Sequence, residues 1–237
     1  MNLTEIELFQ IMEESFQLLR NKPGLFLPKI FSTFVGALWF IGLIESLGSR
    51  MAYVASYPVM ILLSVAVAYL VSALIKQEKE EGRISYKQGF RSMWSEKFQI
   101  ILATLTLTLI ILFISLPLTL GFLSYMLNFN ALHLFIGAFI SFSLSIIFAI
   151  AIYFLPATLV SEKNVLASFV KSAHSANRHR KDVFLLTFFS FALLLIASVS
   201  SDAGRTLGYA GFLAGRFVSA IFSTYIYVVS PKYYFDS

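Results

Sequence analysis

Residues 98–123 read FQIILATLTLTLIILFISLPLTLGFL, 26 positions without one charged side chain. As a helix, at 1.5 Å per residue, such a run rises about 39 Å. That exceeds the roughly 30 Å of hydrocarbon in a bilayer, so the segment predicts a membrane-spanning helix rather than a soluble core helix. Five more stretches follow the same pattern: 25–47, 53–75, 132–155, 183–200 and 207–229. Composition agrees with embedding, since 13% of residues are charged against about 25% in ordinary soluble domains. The sequence therefore predicts an all-α polytopic membrane protein with six transmembrane helices in a single membrane domain, 1–237.

The lysines and arginines set the orientation. With the N-terminus inside, 15 of the 18 fall in cytoplasmic segments, only Arg50 and Arg205 fall outside, and Arg216 lies within the last span. This positive-inside bias predicts a multi-pass protein of the cell membrane with both termini cytoplasmic. The formal charge of +5 is thereby explained by topology, and the expected partners are membrane lipids, not nucleic acid. With no cysteine, disulfides, thiolate metal sites and thiol nucleophiles are excluded. Glu5, Glu7, Glu13 and Glu14 precede Arg20 and Lys22, the reverse of a cleavable signal peptide, so the N-terminal segment is expected to be retained.

The cytoplasmic segments carry helix starts of their own. Thr4 with Glu7 and Ser85 with Gln88 make capping-box patterns, and Asn164 suits an N-cap. Phe9, Met12, Phe16 and Leu19 recur at helical spacing beside Glu13, Glu14 and Gln17, which predicts an amphipathic helix along the inner membrane surface. Ser15-Phe16, Gly89-Phe90 and Ser168-Phe169 each stand in such a segment, ahead of a basic stretch and a hydrophobic hairpin. The chain thus reads as three parallel pseudo-repeats, 1–82, 83–160 and 161–237, each an amphipathic surface helix plus a transmembrane hairpin.

The stretch 154–163, FLPATLVSEK, with 167–172, ASFVKS, resembles the fourth-span exit and third surface helix of an uncharacterised family that includes the YciC-type inner-membrane proteins. It is also similar to the membrane domain fused to some glycerophosphodiester phosphodiesterases. Residues 15–23, SFQLLRNKP, and 89–91, GFR, fit the same family. The resemblance implies the six-span layout and no reaction.

Arg216 is the one charge well inside a span, flanked by Gly208, Gly211 and Gly215. Two readings apply to it: an intramembrane ion pair with Glu45, or an anion and lipid-headgroup site. Arg178, His179, Arg180 and Lys181 form the densest basic cluster, serving as a topogenic stop and a contact for anionic lipid. His174 and His179 lack carboxylates at ligand spacing, so no metal site is expected. Ser124 and His133 flank the outer loop between the third and fourth spans, without the Gly-flanked serine of an intramembrane hydrolase. Pro58, Pro117 and Pro156 stand in or near spans, where proline shapes packing or frees a carbonyl at a cavity. With no phosphate-loop or zinc motif, no catalytic residue or cofactor is expected. The predicted function is non-enzymatic action through membrane lipids or partner proteins, with transport of a small amphiphile as the rival reading.

Overall fold

The computed structural model describes residues 3–47, 49–129, 131–205 and 208–236, with their side chains apart from those at 3–7, 44–45, 47, 49–50, 52–55, 201–205 and 209. Among these residues the chain is all-helical, without strands. Six helical stretches are long and apolar enough to cross a membrane: Pro23–Leu43, Ser56–Glu81, Lys97–Asn128, Ala131–Ser161, Arg180–Ser200 and Ala210–Asp236. They fall on helices α2 (Leu27–Leu47), α3 (Ser49–Glu81), α5 (Lys97–Asn128), α6 (Ala131–Ala151), α9 (Arg180–Arg205) and α10 (Gly208–Asp236). The shorter helices are α1 (Leu3–Asn21), α4 (Tyr86–Ser95), α7 (Leu155–Ser161) and α8 (Val165–Arg178).

The helices pair as hairpins α2–α3, α5–α6 and α9–α10. Between hairpins α3 packs on α5 and α10, and α10 on α2, whereas α6 meets α9 over a short stretch. The central post is α3, with 56% of its span buried against 11–33% for the other five. Its buried face, Val67, Leu70, Val71 and Leu74, packs against Leu19 of α1, Leu25 and Val228 of α10. On its other side Tyr69 and Ala73 meet Ile100, Ala103, Leu155 and Val165. A third cluster joins Leu8, Phe154, Ala176, Val183 and Val229. All three clusters sit at the end of the bundle that carries α1 and the last turns of α10, here called the terminal end. The opposite end carries the hairpin tips.

Local chemistry sets the boundaries. Ser85 caps α4 by accepting from the Gln88 N–H at 3.4 Å. The reciprocal half of that box is absent, because the Ser85 N–H donates to Gln77 Oε1 at 3.2 Å. Asn164 caps α8 by accepting from the Leu166 N–H at 2.9 Å. At the other expected start, α1 is already helical at Leu3, one residue before Thr4. Gly82, at φ 68°, ends α3 in the left-handed conformation, with its N–H bonded to Glu78 O at 2.9 Å.

The fourth span departs from the predicted run 132–155. Helix α6 ends at Ala151, and a turn precedes α7 with Pro156 in its first turn. Proline has no N–H to continue the ladder but suits a helix start. Helix α7 then lies buried, with Ala157 and Thr158 fully enclosed. It is stapled to α8, since Thr158 Oγ1 donates to Ser168 O at 3.0 Å and Ser168 Oγ to Thr158 O at 3.3 Å. Gln99 Nε2 donates to the carbonyls of Leu159 at 3.2 Å and Glu162 at 2.7 Å, satisfying orphan acceptors at the end of α7.

Candidate functional site, a cavity between the hairpins

Above the terminal core lies a cavity of about 700 Å³. Every long helix contributes to its wall: Gly36 of α2, Ser64 of α3, Leu107 of α5, Phe148 of α6, Ser190 of α9 and Arg216 of α10. Along α10 the lining runs from Arg216 to Ser230, which at 1.5 Å per residue spans about 21 Å of depth. Buried α7 supplies Leu155, Pro156 and Leu159 to the terminal end. Pro156 thus lines the cavity, while Pro58 and Pro117 lie inside α3 and α5.

Among the described lining residues Arg216 alone is charged. Its guanidinium carbon lies 5.1 Å from the centre of the Phe212 ring, one turn toward the hairpin tips, in cation–π range. The expected pairing with Glu45 falls on a side chain outside the described residues. The helices that carry the two residues, α2 and α10, do pack against each other.

At the terminal end the otherwise apolar cavity wall carries several hydroxyls, those of Tyr153, Thr187, Ser190 and Ser230. Ser230 Oγ donates to Tyr153 O at 2.6 Å. The hydroxyl oxygens of Tyr153 and Thr187 are both buried and make no hydrogen bond within the protein; Ser190 neighbours the phenol outside ordinary hydrogen-bond geometry. Thr104, Thr106, Thr108, Thr119 and Thr224 each donate to the carbonyl four residues earlier, as helical threonines commonly do. Thr187 does not. The sequence places Tyr153 among the aromatic residues near the inner boundary but marks neither it nor Thr187 or Ser190 as part of a site, because a hydroxyl inside a span is ordinary until its face and its bonds are known.

The basic cluster divides. Arg178, Arg180 and Lys181 are exposed, whereas His179 is half-buried, with Nδ1 3.3 Å from the Tyr233 hydroxyl. That hydroxyl donates to Asp182 Oδ2 at 2.7 Å. His174 is exposed. Ser124 and His133 are brought together, Oγ to Nδ1 at 2.6 Å, beside the close crossing of α5 and α6 at Gly121 and Gly137. There the pair ties the hairpin tip.

The fold and cavity define an α-helical protein with six candidate membrane spans around an apolar, arginine-bearing cavity. Compared with family models, curated proteins and solved structures, the chain matches none.

Proposed function

We propose that this is a non-enzymatic membrane protein acting through the lipid phase, and that it holds an amphiphile between its hairpins with the anionic head at Arg216. The observation that carries this reading is the apolar cavity with an arginine on its wall. A cation on an apolar wall within the membrane marks a functional candidate and attracts the anionic end of an amphiphile. The volume falls within the roughly 300–1,000 Å³ of small-molecule sites, which combine apolar walls with a few placed polar groups.

In the same reading the chain is three parallel units in the cell membrane, with α1, α4 and α8 on the cytoplasmic leaflet. What supports the repeat is that Ser15, Gly89 and Ser168 are all buried where their short helices meet the bundle. What supports the surface placement is exposed apolar residues such as Phe16, Phe90, Trp94 and Leu166 on helices that also carry cations. The resemblance to the YciC-type family belongs with this proposal. Passage of the amphiphile across the membrane is the second reading, favoured by the limited packing between α6 and α9 beside the cavity.

The test is native mass spectrometry of the purified protein, with lipid extraction and titration of dodecanoate in nanodiscs. The wild type should carry or take up a single-chain anion, and Arg216→Met should lose it while remaining folded. A wild type that neither co-purifies with an amphiphile nor binds dodecanoate overturns the proposal.

A further inference from the structure

We infer that the terminal end of the cavity is a second polar station, so that its preferred ligand is a single-chain anion bearing an uncharged hydrogen-bonding group about 15 Å from the charge. The inference rests on the amphiphile reading above and specifies the ligand class.

The spacing comes from register. Helices α9 and α10 are antiparallel neighbours that flank residues 206–207. Thr187, 18 residues before Arg205, is therefore level with Ile226, 18 residues after Gly208. Both line the cavity. Ile226 is ten residues beyond Arg216, hence about 15 Å further along the axis.

The chemistry comes from the buried hydroxyls. Tyr153 and Thr187 each present an O–H whose oxygen is shielded from solvent and bonded to nothing in the protein. Buried polar groups are nearly always satisfied, and one that is not calls for a specific explanation. A ligand hydroxyl or carbonyl accepts from one or both. The partner is uncharged, because no cation besides Arg216 lines the cavity among the described residues, and an anion at the terminal end would go uncompensated. Lys29, at the base of α2, is engaged over the Tyr227 ring, 5.1 Å from its centre.

Size suits one chain. A cavity of about 700 Å³, lined over about 21 Å of depth along α10, takes a single acyl chain with a polar group at each end.

The probes are dodecanoate and ω-hydroxydodecanoate, a pair differing only in a hydroxyl at the far end. Each is titrated into the full-length protein in nanodiscs, with empty nanodiscs subtracted. The wild type should bind the hydroxy acid about fivefold more tightly, the worth of one net hydrogen bond. Thr187→Val and Tyr153→Phe should each bring the ratio toward one with dodecanoate affinity kept. Arg216→Gln should weaken both acids and leave the ratio unchanged. A wild-type ratio of one, or a preference that survives in both hydroxyl variants, overturns the second station while leaving the amphiphile reading intact. Failure of the wild type to bind either acid overturns both. Circular dichroism checks folding, and if one hydroxyl variant is unfolded the other decides.

Discussion

Glu14 shows how single groups fasten the terminal end. The Gln10 amide donates to its carboxylate at 2.9 Å and Lys232 pairs with it at 3.0 Å, and together they hold the carboxyl below the usual carboxylate range. A carboxylate whose pKa is lowered by folding stabilises the fold above its unfolded value, here 4.5, and that contribution disappears as pH falls through the folded value. Acidification below pH 4.5 should therefore lower the wild-type Tm more steeply than that of Glu14→Gln, which has no proton to take up. Parallel curves by scanning fluorimetry would show that the pair carries no linkage. The sequence displays such groups unevenly. Arg216 was legible because it interrupts an apolar run. Glu14 was legible only as part of a polar face, since its partner Lys232 is 218 residues away. Thr187 and Tyr153 were not legible, because what distinguishes them is a bond their neighbours make and they do not.

At the scale of the element, the α5–α6 hairpin depends on two glycines where its helices cross. A Cβ on Gly137 would lie 2.3 Å from Pro117 O, and one on Gly121 would lie 2.5 Å from His133 O. Both obstacles are backbone, so the helices themselves must part. Beside the crossing, Ser141 Oγ accepts the Leu118 N–H at 3.1 Å, where Pro117 disturbs the ladder. Gly137→Ala should cost about 1–3 kcal/mol through overpacking and lower the Tm in detergent. Gly42→Ala, with open space around its Cβ, should be neutral or stabilise slightly, by up to about 1 kcal/mol, because alanine is the better helix former. Equal effects at the two sites would contradict the close crossing. The run 98–123 announced α5, yet the crossing that makes α5 and α6 a unit was not written there, because small residues show their use only when a partner's backbone lies against them. Likewise α3 continues to Glu81, past the predicted end at 75, because a helix need not stop where its apolar run does. There Lys22–Glu78, at 3.0 Å, and Lys79–Asp236, at 3.1 Å, tie its polar extension to the residue that follows α1 and to α10.

Over the whole molecule, the chain reverses direction between α2 and α3, between α5 and α6 and between α9 and α10, so all three tips share one end and the short helices the other. This arrangement makes the direction of insertion a single two-state question, on which the placement of the cations makes a prediction. Apart from Arg50 and Arg205 near the tips and Arg216 within α10, every lysine and arginine lies toward the terminal end. Translocating that end would carry fifteen cations across the bilayer instead of two, against the positive-inside bias. The chain has no cysteine, so single cysteines report without background. Introduced at Ser49 or Asn128, at two different hairpin tips, a cysteine should react with an impermeant thiol reagent added to intact cells. Introduced at Gln77 or Asn177, toward the terminal end, it should react only after permeabilisation. The design separates two failures: an inverted protein exchanges the two sets together, whereas a helix that fails to span exposes one residue of a set and not the other. External labelling at Asn177 with Asn128 still labelled would mean that the chain between them crosses an even number of times, and the six-span arrangement would have to be given up.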